Sequence, residues 1–231
     1  MREASGEPVW RWGRWAALLL TVSLGVCCYW YWDRPVAEYF KQQTDLKPTA
    51  KMLTELGDSI WYLPTSLLAF LVLRYAWRAP LWSRRFGFIF LAVGGSGLLV
   101  LISKVLLGRA RPKEWFENQV YGFHPLQFQF DSHFQAFPSG HATTCMALAC
   151  ALCFCWPRTG WVFLPLGLAL AATRVVVNAH YPSDVVGGLL LGTFTACMLK
   201  AWFDRKAWTL HVATVGPLAE PALAPDAVSQ R

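Results

Sequence analysis

Apolar residues fall into six runs along this chain, and most polar residues lie between the runs. The runs cover residues 15–32, 59–77, 86–106, 141–156, 160–177 and 183–203. A helix needs about 20 apolar residues to cross a bilayer, and the fourth and fifth runs are close to the short limit. The pattern predicts an all-α polytopic membrane protein, a helical bundle of about six transmembrane helices.

The segments that connect the runs differ in length and character. Residues 33–58 carry charges of both signs and predict an amphipathic helix at residues 36–43. Residues 107–140 form a long polar and aromatic loop, and residues 178–182 form a short turn. The chain then becomes rich in Ala and Pro after Lys206. We therefore predict one membrane-embedded domain over residues 1–208 and a disordered cytoplasmic tail over residues 209–231.

The composition fits a membrane protein better than a nucleic-acid-binding one. Hydrophobic residues make up 55% of the chain and charged residues 15%, whereas a soluble domain has about 25% charged residues. The net charge of +7 comes from basic residues at the ends of apolar runs, as membrane topology requires, so no nucleic-acid partner is predicted. All seven cysteines lie within apolar runs, which indicates small apolar residues and no disulfide framework.

The basic residues also predict the orientation of the bundle. They are concentrated before the first run, between the second and third, between the fourth and fifth, and after the sixth. These four regions fall on one side, which the positive-inside rule makes cytoplasmic. The N-terminal run ends in a Cys-Cys-Tyr-Trp-Tyr-Trp stretch and not in a small-residue cleavage site, so an uncleaved first helix is predicted over a signal peptide.

Several charged and imidazole side chains fall together on the opposite, non-cytoplasmic face. They are Lys104, Arg111, His141, Arg174, His180 and Asp184. The cations Lys104, Arg111 and Arg174 each have a simpler interpretation as side chains that reach toward the membrane surface. Three cations with few nearby acids nevertheless repel one another unless an anion lies among them, and guanidinium groups suit phosphate oxygens.

Two further stretches favour a phosphate site. Ser139 is a good N-cap for the fourth apolar helix, and Gly140 lets backbone approach closely, so Ser139-Gly140-His141 predicts an anion site at a helix N-terminus. Pro182 suits the first position of the last helix, which puts Asp184 in its first turn. Asp184 can then hydrogen-bond one nitrogen of His180 and leave the other as a nucleophile or a base. Both stretches also have an ordinary structural interpretation.

A metal site is the rival interpretation of the histidines. His141, His180 and Asp184 supply ligand types, as do His124, His133 and Asp131 in the long loop. Three cations disfavour a divalent ion, and no HxxxH or HExxH spacing occurs. We predict no metal and no other cofactor.

Three motifs in order resemble the signature of the type 2 phosphatidic acid phosphatase superfamily. They are Lys104-x6-Arg111-Pro112, Pro138-Ser-Gly-His141 and Arg174-x5-His180-x3-Asp184. The resemblance covers about residues 59–203, and its one departure is Thr173, where the family usually has Ser.

The resemblance implies a role for each motif residue. His180 would attack phosphorus and form a phosphohistidine, with Asp184 orienting it. His141 would protonate the leaving group and then activate water. Phosphate-binding groups would hold the phosphoryl oxygens; they are Lys104, Arg111, Ser139, Gly140 and Arg174.

The predicted function is an integral-membrane lipid phosphatase that needs no metal. The resemblance implies a lipid phosphomonoester or diphosphate as substrate: undecaprenyl diphosphate, phosphatidylglycerophosphate, phosphatidic acid or lipid A. The alternatives are a lipid phosphotransferase that uses the same site, and a non-catalytic lipid-binding or transport protein. We expect a bacterial inner-membrane protein with its active site facing the periplasm, and the sequence leaves its oligomeric state open.

Overall fold

The computed structural model describes residues 10–126 and 131–211, and within these ranges the secondary structure is helical apart from one isolated β-bridge. The α-helices are α1 (Trp10–Cys27), α2 (Asp33–Gln42), α3 (Lys47–Glu55), α4 (Ser59–Leu71), α5 (Pro80–Leu107), α6 (Pro112–Asn118), α7 (Gly140–Cys155), α8 (Phe163–Val176) and α9 (Pro182–Arg205). Two π-helical segments, Cys28–Trp32 and Val72–Ala76, extend α1 and α4, and short 3₁₀ turns occur at Ser132–Phe134 and Gly160–Val162.

The six predicted apolar runs coincide with α1, α4, α5, α7, α8 and α9, so the all-α prediction is confirmed. Four continuous helical stretches in the described ranges are long and apolar enough to cross a membrane. They are Trp15–Gln42, Lys47–Ala76, Pro80–Leu107 and Pro182–Arg205. Gly140–Cys155 and Gly160–Val176 are apolar but shorter.

Helix α5 begins at Pro80, six residues before the run predicted at 86–106. The hydropathy pattern did not include this first turn, because the charged pair Arg84-Arg85 separates it from the apolar run. Arg85 is buried nonetheless, because its guanidinium lies 5.0 Å from the ring of Trp82 and 4.8 Å from that of Trp156. Stacking on aromatic faces stabilises such a cation where solvent is excluded.

The connections hold more helix than their composition indicates. The amphipathic helix predicted at residues 36–43 is α2, which starts three residues earlier and continues directly from α1. Residues 33–58 also contain α3, and the long loop contains α6. Pro at the first or second position helps to start both α3 and α6.

The first residues of the predicted tail pack back against the bundle. Leu210 is buried in a cluster with Phe88 and Phe203, and its carbonyl accepts a hydrogen bond of 2.7 Å from Arg85 Nε. The remainder of the predicted tail, residues 212–231, lies outside the described residues.

Helix α7 forms the centre of the bundle and packs against α5, α8 and α9. Ten of its sixteen residues are buried, and most of those are Ala, Thr or Cys. Small side chains let the neighbouring helices approach closely on several sides, which is how helices associate where lipid removes the hydrophobic drive.

The contact between α7 and α9 is the closest in the bundle, and two glycines permit it. A Cβ atom at Gly188 would lie 2.6 Å from the Ser139 carbonyl oxygen, and one at Gly192 would lie 2.4 Å from the Thr143 carbonyl oxygen. The first two turns of α7 therefore touch the second and third turns of α9 backbone to backbone. This contact fixes the N-terminus of α7 beside that of α9.

Replacing Gly192 by Ala should lower the thermal unfolding midpoint of the purified protein by several degrees. The added methyl group overlaps backbone that cannot move away, and overpacking of this kind costs about 1–3 kcal/mol. Gly97→Ala is the matched control, because nothing lies within 4 Å of a Cβ at Gly97 and Ala favours helix. Equal midpoints for the two variants, measured in the same detergent, would contradict the packing described here.

Candidate active site

The end of α5 and the loop after it place two of the predicted cations. Lys104 lies in the last turn of α5, and Gly108 ends the helix in a left-handed conformation with φ 54°. A Cβ at Gly140 would lie 3.9 Å from Lys104 Nζ, so the end of α5 meets the start of α7. The charged groups around Lys104 are Arg111, Asp184 and Arg174. The fold thus places Lys104 of the first motif close to residues of the second and third motifs.

Backbone hydrogen bonds hold the loop that carries Arg111. The Arg111 amide donates to the His133 carbonyl at 2.9 Å, and the Ala136 amide donates to the Arg109 carbonyl at 2.9 Å. Burial lowers the pKa of the Arg111 guanidinium from its ordinary value, but an arginine remains charged in proteins. The backbone that carries Arg111 is therefore held by hydrogen bonds to His133 and Ala136.

The N-termini of α7 and α9 lie side by side, as the glycine contacts require. The Ser139 amide donates to the Asp184 carbonyl at 3.0 Å, which joins the second motif to the third. Ser139 is the N-cap of α7, as predicted, and its hydroxyl accepts from the Ala142 amide at 3.4 Å. The positive dipole ends of two helices therefore lie next to each other, although the first-turn amides of α9 are already bonded to Asp33 and Tyr181.

His180 lies in the turn before α9 and is almost fully buried, at 3% exposed. Its Nδ1 is 3.6 Å from Asp184 Oδ2, so Asp184 faces the imidazole from the first turn of α9, as predicted. Burial lowers the pKa of His180 to about 4, against the opposing influence of Asp184, and the charges of Arg111 and Arg174 lower it further. The imidazole is therefore neutral at physiological pH, and Nε2 carries the free lone pair when Nδ1 holds the proton.

Asp184 is held in place by two groups besides His180. Its Oδ2 accepts a hydrogen bond of 2.9 Å from the Tyr181 amide, and its Oδ1 forms a buried ion pair with Arg109 Nη1. A carboxylate with this many donors stays ionised and cannot rotate. Asp184 therefore presents a fixed carboxylate 3.6 Å from His180 Nδ1.

Arg109 is the functional residue that sequence reasoning missed. It is fully buried, and besides Asp184 it pairs with Asp33 and donates to the Ser183 hydroxyl at 2.7 Å. Asp33 in turn accepts from the Ser183 amide at 3.0 Å and the Ser183 hydroxyl at 2.6 Å. Asp33, Arg109 and Asp184 thus form one buried network that joins α2, the loop after α5 and the start of α9.

Aromatic rings enclose the Arg109 guanidinium on the remaining sides. Its carbon atom lies 4.9 Å from the Phe123 ring, 5.0 Å from that of Tyr181 and 5.1 Å from that of Tyr29. The rings exclude water and favour the cation through their π faces. The sequence held one signal of this cluster, because the aromatic stretch from Tyr29 to Trp32 directly precedes Asp33 at the end of an apolar run. Nothing local indicated that Asp33 pairs with an arginine 76 residues later.

The remaining two predicted residues, His141 and Arg174, face the last turn of α3 and the short segment between α3 and α4. Arg174 Nη1 donates to the Thr54 hydroxyl at 3.2 Å, and His141 Nε2 lies 3.9 Å from Asp58 Oδ2. The charged groups around His141 are Arg174, Asp58, Lys104 and Arg111. All eight predicted site residues therefore belong to one constellation, which Thr54 and Asp58 extend.

The arginines of the site retain donors for an anion. The Nε atoms of Arg111 and Arg174 are buried and have no hydrogen-bond partner within residues 10–126 and 131–211. Donors in that state suit the oxygens of a phosphoryl group.

The loop residues considered as metal ligands are engaged elsewhere. His133 Nδ1 lies 2.6 Å from Glu114 Oε1, the His124 ring packs on Phe134, and the Asp131 carboxylate caps a 3₁₀ turn. In the parts of the chain that the structure describes, no group of three or more His, Cys, Asp or Glu side chains converges to hold a metal ion.

Comparison with known proteins places the chain in a family. The PAP2 superfamily model matches residues 85–208, which is more than half of the chain. The chain therefore belongs to the PAP2 superfamily, as its three motifs predicted, and it is a membrane phosphatase of the lipid phosphatase class.

Particular members of the family resemble it to different extents. The chain is 33% identical to the lipid A 1-phosphatase of Rhizobium johnstonii over 230 residues, which cover 95% of this chain and 92% of that protein. It is 32% identical to the undecaprenyl-diphosphatase of Bacillus subtilis over 69 residues, which cover 30% of this chain and 36% of that protein.

A solved structure shares the fold. A transmembrane PAP2-type phosphatidylglycerolphosphate phosphatase from Bacillus subtilis superposes with a TM-score of 0.57 at 20% identity, over 82% of this chain and 95% of that one. The prediction of an all-α membrane fold is confirmed by this likeness.

Replacing Arg109 by Met should destabilise the protein by about 3–5 kcal/mol, because it leaves two buried carboxylates without their cation. Arg74→Met is the control, since Arg74 is exposed near the opposite end of α4. Thermal unfolding in detergent measures the difference. An Arg109→Met protein as stable as the control would show that the network is not what joins these three elements.

Proposed function

We propose that this protein removes the 1-phosphate from a lipid A-type glycolipid at the periplasmic face of a bacterial inner membrane. The observation that carries the proposal is similarity to lipid A 1-phosphatase over nearly the whole length of both proteins. That similarity includes α1–α4, which supply Asp33, Thr54 and Asp58 and lie outside the region matched by the family model. Similarity to the undecaprenyl-diphosphatase covers less than a third of the chain.

The first step transfers the phosphoryl group to the protein. His180 Nε2 attacks phosphorus while the bond from phosphorus to the bridging oxygen breaks, and a phosphohistidine forms. Asp184 accepts the Nδ1 proton in a hydrogen bond and stabilises the imidazolium as its charge grows. His141 donates a proton to the departing oxygen, so that the dephosphorylated sugar leaves as a neutral hydroxyl compound.

The second step returns the site to its starting state. His141, now unprotonated, takes a proton from water as that water attacks the phosphohistidine. The nitrogen–phosphorus bond breaks, His180 becomes neutral again, and inorganic phosphate leaves. His141 ends protonated, ready for the next turnover.

The cations of the site stabilise the charge that develops between the two steps. Arg111 and Arg174 donate to the equatorial phosphoryl oxygens, and Lys104 adds a point charge. The Ser139 hydroxyl and the Gly140 amide supply donors at the N-terminus of α7. All of these groups are fixed before the substrate arrives, so little reorganisation is needed in the transition state.

The position of the site suits a lipid headgroup. The motif residues lie at the ends of apolar helices, where a phosphate can reach them while acyl chains remain in the bilayer. The positive-inside distribution of Lys and Arg supports a periplasmic location for this end.

Replacing His180 by Ala should reduce phosphate release from lipid A by at least about a thousandfold, because the nucleophile is lost. The measurement is release of inorganic phosphate from lipid A, undecaprenyl diphosphate, phosphatidylglycerophosphate and phosphatidic acid in mixed micelles. His124→Ala is the matched control, since His124 packs on Phe134 in the loop.

Three results would contradict the proposal. Undiminished turnover by His180→Ala would exclude this nucleophile. Labelled phosphate that appears on a second lipid and not in solution would make the protein a phosphotransferase. A clear preference for undecaprenyl diphosphate over lipid A would replace the proposed substrate.

The acid limb of the pH profile should lie near pH 4 and not near 6.5. Attack requires neutral His180, whose pKa is about 4, so the acid limb of kcat/KM should fall tenfold per unit below about pH 4. The proton that His141 donates controls the opposite, alkaline limb. The substrate phosphate itself titrates near pH 6, and its ionisation is measured separately by phosphorus NMR and divided out. A corrected limb near 6.5 would show that the burial of His180 does not control its protonation.

A further inference from the structure

The last turn of α3 and the segment that joins it to α4 form a wall of the candidate active site. Thr54 accepts a hydrogen bond from Arg174, as described above, and Gly57 lies directly against α7. A Cβ atom at Gly57 would be 2.7 Å from Cys145 Sγ and 3.7 Å from His141 Cδ2. The backbone of this turn is therefore close-packed on the residues that carry the chemistry.

Asp58 follows Gly57 and presents a carboxylate to His141. One oxygen, Oδ1, accepts from the Ile60 amide at 3.0 Å and caps α4. The other, Oδ2, lies 3.9 Å from His141 Nε2. The Asp58 side chain is 44% exposed and that of His141 is 27% exposed, so both groups are accessible to a molecule that enters the site.

The placement of this negative charge is selective. The phosphoryl group is surrounded by Lys104, Arg111 and Arg174, which balance its charge. Asp58 lies 3.9 Å from His141, the group that protonates the leaving oxygen in the proposed mechanism, and its charge also reaches Arg174. Its charge therefore acts on the part of the substrate that departs.

We propose that Asp58 makes the enzyme discriminate between substrates by the charge of the leaving group. This inference rests on the proposed function, and in particular on His141 as proton donor. With either substrate the His180–phosphorus bond forms, the bond from phosphorus to the bridging oxygen breaks, and the His141 proton moves to that oxygen. A phosphomonoester releases a neutral hydroxyl compound, which can donate a hydrogen bond to Asp58. A diphosphate releases an anionic phosphate, which Asp58 repels.

The repulsion is large enough to decide specificity. Two like charges about 4 Å apart change a rate constant about fivefold even at the dielectric constant of bulk water, and by more at a half-buried site. The transferred phosphoryl group occupies the same place in both substrates, so any influence of Asp58 on it cancels when the two are compared.

The test compares Asp58→Asn with the wild type on two substrates in the same detergent micelles, a lipid phosphomonoester and an isoprenyl diphosphate. Asn retains the oxygen that caps α4 and loses only the charge. The ratio of kcat/KM for the diphosphate to kcat/KM for the monoester should rise at least fivefold. Asp58→Ser, another good cap, should raise it as well. Asp45→Asn removes an exposed charge between α2 and α3 and should leave the ratio within twofold of wild type.

The ratio does not depend on how much of each preparation is folded, because the active concentration cancels. An unchanged ratio in Asp58→Asn and Asp58→Ser would overturn the inference, and so would an equal loss with both substrates. Neither result would affect the proposed function, since the wild type would still release phosphate. A wild-type protein that releases phosphate from neither substrate would overturn both.

Discussion

The geometry of the candidate site depends on a buried cation that pairs with two carboxylates. Arg109 is fully buried and pairs with Asp184 on one side and Asp33 on the other. Such an arrangement is costly to desolvate, and each member is destabilising without the others. Its consequence is positional: the carboxylate that orients His180 is tied to the first helical stretch of the chain as well as to the last helix. The aromatic residues Tyr29, Phe123 and Tyr181 keep water from loosening that connection.

Close helix packing supplies the second constraint. Because Gly188 and Gly192 admit the backbone of α7, the N-termini of α7 and α9 reach the same level, and the Ser139 amide bonds the Asp184 carbonyl. The positive dipole ends of the two helices are then adjacent. Lys104 and Arg111 approach them from α5 and the loop after it, whose backbone is bonded to the 3₁₀ turn at Ser132–Phe134. The backbone that carries the cations of the site is therefore held by helix ends and main-chain hydrogen bonds.

Hydropathy and motif spacing predicted the six apolar helices and the eight candidate site residues that the structure brings together, because those features are local in sequence. The caps at Ser139 and Pro182 were also visible locally, since capping depends on two or three neighbouring residues. Pairings across long separations could not be predicted in this way. In the sequence, Asp33 is one of several charges in a segment with charges of both signs, and Arg85 is a charge outside an apolar run. Asp58 has the sequence pattern of an ordinary helix cap. Each acquires its role only from residues that folding brings to it.

The bridge from Asp33 through Arg109 to Asp184 also orders the assembly of the enzyme during synthesis. Asp33 leaves the ribosome early, Arg109 near the middle and Asp184 close to the end, so the network closes only after α9 has entered the membrane. A shortened chain that lacks α9 would therefore retain Asp33 and Arg109 but not the second carboxylate of the network.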